Sequence, residues 1–118
     1  MSTVKFPMQL DNPDLIKTQA YINGNWVAGQ TNTTFAVDNP ANGETIAQVA
    51  NLSPADAENA IAAANAAWPA WRALTAKARS VILRKWFDLI NQNADDLARI
   101  MALVQGAPNT ITLPDIVS

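Results

Sequence analysis

The sequence contains neither cysteine nor histidine in its 118 residues. Without cysteine, the chain can form no disulfide and offers no thiolate nucleophile. Without histidine, it lacks the commonest general base and the commonest metal ligand. Its four glycines lie at positions 24, 29, 43 and 106, so no Gly-x-Gly-x-x-Gly loop for a nucleotide phosphate occurs. We therefore expect no catalytic, cofactor-binding or metal-binding residues in this chain.

Charged side chains are also few, at 15% of the residues, and the formal net charge is −2. This balance argues against nucleic acid or an anionic membrane surface as a partner. No apolar run approaches the roughly 18 residues of a membrane span, and the N-terminus lacks the pattern of a signal peptide. The sequence therefore predicts a cytoplasmic protein. Hydrophobic residues make up 49% of the chain, which indicates one packed domain rather than disorder.

Three amphipathic helical segments dominate the second half of the chain. The first begins at Ser53, whose hydroxyl is placed to accept a hydrogen bond from the N–H of Asp56, and Pro54 suits the first helical position. Pro69 disfavours helical backbone at the preceding residue and predicts that this helix ends near Trp68. Its apolar stripe is mostly alanine, which predicts close packing against a neighbour. The stripe consists of Ala57, Ala60, Ile61, Ala64, Ala67 and Trp68.

The second and third helices carry similar start and stop signals. Thr75 is expected to cap the second helix and Asn93 the third. Asp95 and Asp96 suit the positive end of the third helix, and Gly106 predicts where it stops. The apolar stripes of both helices are predicted to pack in a core. They consist of Ile82, Leu83, Trp86, Phe87 and Ile90 in the second helix, and of Leu97, Ile100, Met101 and Val104 in the third.

Short strands are predicted between residues 20 and 50. Asn23-Gly24 separates two short apolar runs and predicts a tight β-hairpin. The segments Phe35 to Asp38 and Thr45 to Ala50 are typical of a second pair, joined by the turn cluster Asn39 to Gly43. The order of elements predicts an α+β fold, in which a short antiparallel β-meander precedes three amphipathic helices.

The ends of the chain lack this periodicity. Residues 1–19 are expected to form an extended N-terminal arm, with a short helical turn from Leu15 to Ala20. Gly29 to Thr34 is typical of a polar turn. The final segment, 109–118, is rich in β-prone residues and follows no helical pattern.

Carboxylates, basic side chains and polar loops are the remaining candidates for chemistry, and each has a simpler structural interpretation. Carboxylates at helix starts complement the helix dipole, and basic residues at helical spacing usually form a solvated face. The loops at Asn23 and Asn39 fit turn geometry. The carboxylates considered are Glu44, Asp56, Glu58, Asp95 and Asp96. The basic residues considered are Arg72, Arg79, Arg84 and Lys85.

Several segments, taken in order and spacing, resemble the opening of the aldehyde dehydrogenase superfamily. They are Tyr21-Ile22-Asn23-Gly24 with Trp26, Asn39 to Gly43, Ile46 to Val49, Ser53 to Asp56, Ala60 to Lys77, Arg79, Ile82 to Phe87 and Asp95 to Arg99. The resemblance covers about residues 15 to 108. Within the superfamily, the sequence is most similar to the NAD(P)-dependent succinate-semialdehyde dehydrogenase branch.

The resemblance implies that residues 20–108 form the N-terminal portion of a coenzyme-binding domain, which is Rossmann-like α/β in the full-length family. Strands would lie within residues 20–50 and helices within residues 53–106. Full-length members oxidise an aldehyde to a carboxylic acid with NAD or NADP, using a cysteine nucleophile, a glutamate base and an asparagine oxyanion donor that come later in the chain. None of these has a counterpart here, so no catalytic residue and no bound cofactor are expected.

Two interpretations of the function stay open. The chain is either an N-terminal fragment of an aldehyde dehydrogenase, inactive alone, or a small helical interaction module that binds a partner or a full-length homologue. Residues 109–118 depart from the family pattern and are expected to be a divergent tail, from a shifted reading frame, a shortened gene or a genuine terminus. Exposed apolar helix faces would favour a homo-oligomer or docking to a full-length homologue.

Overall fold

The computed structural model describes residues 8–106, and the elements follow the predicted α+β order. A short 3-10 helix spans Pro13–Leu15, and four strands follow it: β1 (Ala20–Ile22), β2 (Asn25–Val27), β3 (Thr33–Asp38) and β4 (Thr45–Asn51). Three helices complete the described chain: α1 (Pro54–Ala73), α2 (Ala76–Gln92) and α3 (Ala94–Gln105). The predictions for residues 1–7 and for the tail 109–118 lie outside the described residues.

The strands form two separate antiparallel hairpins rather than one continuous meander. β1 pairs with β2 through the predicted turn, where Asn23 has a φ of 52° and Gly24 a φ of 78°. Two consecutive left-handed residues are the requirement of a tight hairpin turn, which confirms that prediction. β3 pairs with β4 and begins at Thr33, so the predicted polar turn from Gly29 to Thr34 is two residues too long.

The helical turn predicted from Leu15 to Ala20 is wrong. The turn lies earlier, at Pro13–Leu15, because the side chain of Asn12 caps it and a proline fits its first position. The carbonyl of Thr18 instead accepts a hydrogen bond of 2.8 Å from the N–H of Ala50. The chain between the turn and β1 therefore lies alongside β4.

The predicted end of α1 near Trp68 is also wrong, because the helix continues through Pro69 to Ala73. Proline has a φ of about −65°, which is itself helical, so a helix can continue past it at the cost of one main-chain hydrogen bond. Leu74 ends α1 by turning to extended backbone, with a ψ of 148°. Thr75 follows at once and begins α2, as predicted.

The predicted caps are confirmed at three of four helix ends. The Ser53 hydroxyl accepts from the N–H of Asp56, and the Thr75 hydroxyl accepts from the N–H of Ala78 at 3.1 Å. Gly106 ends α3 with a φ of 68°. Asn93 precedes α3, but its side chain does not cap that helix. The side-chain amide of Asn93 instead donates a hydrogen bond of 2.8 Å to the carbonyl of Leu89 in α2.

The core of the described residues is small, and the prediction that the helices bury their apolar stripes is wrong for α1 and α2. In α3 the predicted stripe is only partly buried, and its last member, Val104, is 46% exposed. The buried apolar residues are Leu10, Ile46, Ala98 and Ala102. In α1, Ile61 is 69% exposed, and in α2, Trp86 is 64% exposed. An apolar helix face becomes buried only against a second layer of structure, and residues 8–106 supply none to these faces.

Candidate functional site

The polar loops satisfy their own hydrogen bonds, as the turn interpretation predicts. In the turn between β3 and β4, the carbonyl of Asn39 accepts from the N–H of Gly43 at 2.8 Å, and its side-chain oxygen accepts from the N–H of Ala41 at 2.9 Å. The side-chain oxygen of Asn42 accepts from the N–H of Glu44 at 2.9 Å. These asparagines shape the turn, so their acceptor oxygens are already engaged by the backbone.

Asp56 is buried and joins the start of α1 to the loop after β2. Its carboxylate accepts from the N–H of Ser53 at 2.9 Å, from the Ser53 hydroxyl at 3.0 Å, and from the N–H of Gln30 at 3.2 Å. The hydrogen bond from the Ser53 N–H has the largest effect and lowers the pKa of Asp56. Burial raises this pKa, but the Gln30 N–H and the Ser53 hydroxyl also lower it. The pKa of Asp56 therefore lies below its ordinary value of 3.8. Asp56 is therefore an ionised structural group rather than a proton donor at neutral pH.

Asp96 is the most buried carboxylate of the described residues and holds the N-terminal segment against α3. It accepts from the N–H of Asp11 at 2.9 Å, from the N–H of Asn12 at 2.8 Å, and from Arg99 at 2.7 Å. Burial raises the pKa of Asp96, but these two N–H groups and the guanidinium of Arg99 outweigh burial and hold it below 3.8. The helix-dipole interpretation of Asp96 was therefore incomplete.

The other candidate carboxylates do not converge. Glu44, Glu58 and Asp95 are exposed, on a turn, on α1 and on α3 respectively. Within residues 8–106, no group of three or more acidic side chains lies together in a way that could hold a metal ion. Over the same range, no helix combines the length and the apolar character needed to cross a membrane.

The structure separates Arg79 from the other basic candidates. Arg72 and Lys85 are exposed, and Arg84 is paired with Asp88 at 3.6 Å on the surface of α2. Arg79 is only partly exposed, and its Nε atom is buried without a hydrogen-bond partner among the described residues. A shallow depression beside this arginine is formed by Trp71, Ala76, Ser80 and Leu83.

One side of α2 presents Arg79 together with large apolar side chains. We define the α2 surface as Arg79, Ile82, Leu83, Trp86 and Phe87, which helical spacing places on a single face. Their exposed fractions are 50% for Ile82, 50% for Leu83, 64% for Trp86 and 49% for Phe87. Contiguous apolar patches of this kind usually mark interaction sites in monomeric proteins.

Most of the chain matches one known protein family. Residues 26–117 match the profile described as "Aldehyde dehydrogenase family". The chain belongs to the aldehyde dehydrogenase family. The resemblance seen in the sequence is thereby confirmed. The matched range includes most of segment 109–118, whose origin stays a prediction.

The aldehyde dehydrogenases that this chain resembles are much longer than it. The glutarate-semialdehyde dehydrogenase of Pseudomonas putida is 52% identical over 101 residues, which are 86% of this chain and 21% of that protein. The crystal structure of succinate-semialdehyde dehydrogenase from Burkholderia pseudomallei is 44% identical, with a TM-score of 0.89 over 92% of this chain and 23% of its own. A betaine aldehyde dehydrogenase double mutant from Staphylococcus aureus, solved in complex with NAD+, is 31% identical, with a TM-score of 0.82 over 88% of this chain and 21% of its own.

Two structural features of this chain cannot be predicted from its local sequence. The i,i+3 spacing of Asp96 and Arg99 predicts an ion pair within α3. It does not predict the hydrogen bond that Asp96 accepts from the backbone N–H of Asp11, 85 residues earlier. Arg79 was expected on a solvated face because the basic residues Arg72, Arg79, Arg84 and Lys85 occur at helical spacing. Nothing in the local sequence indicates that its Nε atom is buried.

Proposed function

We propose that this chain is the N-terminal part of the coenzyme-binding domain of an NAD(P)-dependent semialdehyde dehydrogenase, and that it is catalytically inactive by itself. The observation that carries the proposal is the match to succinate-semialdehyde dehydrogenase, which covers 92% of this chain but 23% of the solved enzyme. The reaction of the full-length protein would be oxidation of a short semialdehyde to a dicarboxylic acid, with hydride transfer to NAD+ or NADP+.

The side chains present agree with an inactive part of an enzyme. The sequence has no cysteine to form a covalent intermediate with the aldehyde. The carboxylate oxygens of Asp56 and Asp96 accept hydrogen bonds from backbone N–H groups. Because these hydrogen bonds lower the pKa of each carboxylate, both are poor general bases near neutral pH. The sequence also has no Gly-x-Gly-x-x-Gly loop, so the chain is expected to bind no cofactor by itself and to contribute to the enzyme structurally.

The direct test uses the purified chain with succinate semialdehyde and with glutarate semialdehyde, each in the presence of NAD+ or NADP+. We expect no reduced cofactor by absorbance and no NAD+ or NADP+ binding by calorimetry. Cofactor reduction that persists in a preparation shown by mass spectrometry to be free of full-length enzyme would contradict the proposal.

A second experiment tests the positive half of the proposal. In a chimera, the 101 matched residues of this chain replace their counterparts in the glutarate-semialdehyde dehydrogenase of P. putida. If these residues build the same part of the enzyme, the chimera folds and reduces the cofactor.

Sequencing the coding DNA beyond the codon for Ser118 tests whether the chain is truncated, since a continuing family sequence would include a cysteine nucleophile.

The second candidate function is a small interaction module, and the exposed α2 surface favours it. A partner or a full-length homologue would dock on the apolar side chains, and the chain would have a role of its own. Sedimentation of the chain alone and mixed with the intact P. putida enzyme tests docking on a full-length homologue, because a module of that kind forms a complex with the enzyme.

Cell fractionation tests the cytoplasmic location, which remains a prediction.

A further inference from the structure

Strand β3 has one edge that no other strand within residues 8–106 covers. It pairs with β4 alone, and the two strands form a separate two-stranded sheet. All residues of β3 are exposed except Val37, which is partly buried. A strand edge of this kind presents backbone N–H and carbonyl groups that can pair with a further strand.

The hydrogen bonding of β4 shows which groups of β3 face this edge. The N–H of Ala50 donates to the carbonyl of Thr18 at 2.8 Å, on the side of β4 that faces away from β3. Because Ala50 lies opposite Thr34, the backbone groups of Thr34 also point away from the ladder. The pattern repeats every second residue, so Ala36 presents its N–H and its carbonyl to the same free edge.

The free edge lacks the features that usually prevent pairing with another chain. Exposed edges are generally protected by charged side chains, by proline, by a bulge or by a very short strand. The segment from Thr33 to Val37, which we call the β3 edge, contains no charge and no proline. The irregularity in the ladder lies beyond it, between Val37 and Asp38. By contrast, β1 and β2 have three residues each, and the outer side of β4 is already bonded to Thr18.

The β3 edge is complementary to itself. In an antiparallel pair of β3 strands centred on Phe35, Thr34 of each copy lies opposite Ala36 of the other. Both residues direct their backbone groups outward, so the pair can form a continuous ladder. The two Phe35 residues then face each other at the closer of the two spacings in such a ladder, with Cα atoms about 4.5 Å apart. Phe35 is 51% exposed in the single chain, and aromatic pairs across strands stabilise a sheet.

We propose that the β3 edge is an interaction surface for a second copy of this chain. The two copies pair edge to edge and antiparallel, which gives a four-stranded sheet in the order β4–β3–β3–β4. The same residues serve both copies, as in a two-fold symmetric dimer. This register places Asp38 opposite Asn32 of the second copy, so it brings no like charges together. The inference concerns assembly and does not depend on the proposed enzymatic role.

Sedimentation velocity of the 118-residue chain over a range of concentrations tests the proposal. We expect a monomer–dimer equilibrium, and Ala36→Pro should raise its dissociation constant by at least about tenfold, because proline removes the outward N–H from both copies. Gln48→Pro is the matched control. Gln48 lies opposite Ala36 in the ladder, so its N–H points to the other edge of the same hairpin, and the dimer should persist.

A charge exchange at Phe35 tests the register without a proline. Phe35→Lys and Phe35→Glu should each be monomeric, because the register places like charges directly opposite each other. An equimolar mixture of the two variants should form a heterodimer, since opposite charges then face each other across the strands. Recovery in the mixture also shows that both variants are folded.

Three outcomes contradict the inference. A chain that stays monomeric up to its limit of solubility would exclude the dimer. A dimer that Ala36→Pro and Gln48→Pro weaken equally, or that neither weakens, would use a surface other than the β3 edge. If the mixture of Phe35→Lys and Phe35→Glu stays monomeric, the register centred on Phe35 is wrong.

Discussion

The carboxylate of Asp96 accepts a hydrogen bond of 2.9 Å from the backbone N–H of Asp11, 85 positions earlier in the sequence. Arg99, one turn along α3, contacts both residues, at 2.7 Å to Asp96 and 3.5 Å to the carboxylate of Asp11. Leu10, next to this contact, is among the few buried apolar side chains. The N-terminal segment is thus held to the last helix by charge-assisted hydrogen bonds and by one apolar anchor.

Replacing Asp96 by asparagine should release this segment. The amide keeps one acceptor oxygen, so it cannot serve the two backbone N–H groups and Arg99 together. Hydrogen exchange at the amides of Asp11 and Asn12 should rise to that of an unprotected backbone, while the β3–β4 hairpin stays protected. Asp95→Asn is the matched control, because Asp95 is exposed on the same helix turn. Unchanged protection at residues 11 and 12 would show that Asp96 does not hold the segment.

The stability of the chain should depend on pH through Asp56 and Asp96. Hydrogen bonds to the carboxylates hold the pKa of each below 3.8, the ordinary value expected in the unfolded chain. Their stabilisation is therefore complete above that value and is lost as the pH falls through the lower pKa of the folded state. Urea denaturation between pH 7 and pH 2 should show a loss confined to pH below about 4. The double variant Asp56→Asn, Asp96→Asn should show a smaller loss; an unchanged profile would assign the acid sensitivity to other carboxylates.

Gly106 and Gly43 provide a matched pair for the packing of α3. Both have left-handed backbone, with φ values of 68° and 73°, so alanine at either position should cost about 1 kcal/mol through strain. At Gly43 an added Cβ meets nothing within 4 Å, whereas at Gly106 it lies 2.9 Å from the backbone nitrogen of Ala41. Gly106→Ala should therefore reduce the free energy of unfolding by at least about 2 kcal/mol. Equal losses in urea denaturation would mean that the end of α3 does not press on this turn.

Removing the proline inside α1 should stabilise the chain. A proline inside a helix, such as Pro69, lowers the free energy of unfolding by roughly 3 kcal/mol. This loss is offset by up to roughly 1 kcal/mol, because proline restricts the conformations of the unfolded chain. Pro69→Ala should therefore raise the free energy of unfolding by about 2 kcal/mol. Pro54→Ala is the control, since proline suits the first helical position and its removal should bring no gain. A loss of stability in Pro69→Ala would show that the proline ring makes a packing contact worth more than the hydrogen bond.

The sequence predicted best those features that depend on a few neighbouring residues. The capping of α1 by Ser53 and the hairpin at Asn23-Gly24 follow from contacts within three residues, and the structure confirms both. The predicted end of α1 at Pro69 was wrong, because a helix can continue past one proline when the residues on either side favour helix. The start and stop signals were otherwise sufficient to find all three helices.

The remaining features could not be read from local sequence. The contact of Asp96 with Asp11 depends on the packing of the N-terminal segment against α3, which no spacing rule conveys. The stripe of Trp86 and Phe87 predicts an apolar face, but its burial depends on a second layer of structure. That layer is not supplied by residues 8–106, so these side chains are exposed here.

The chimera with the P. putida enzyme tests the central claim most directly, through its rate of cofactor reduction with glutarate semialdehyde. If this chain builds the same part of a semialdehyde dehydrogenase, kcat/KM should lie within about tenfold of the parent enzyme, or about 1.4 kcal/mol in transition-state stabilisation. The 118-residue chain alone should give no rate above the uncatalysed background. A chimera that folds like its parent but reduces no cofactor, or that fails to fold where the parent folds, would contradict the account.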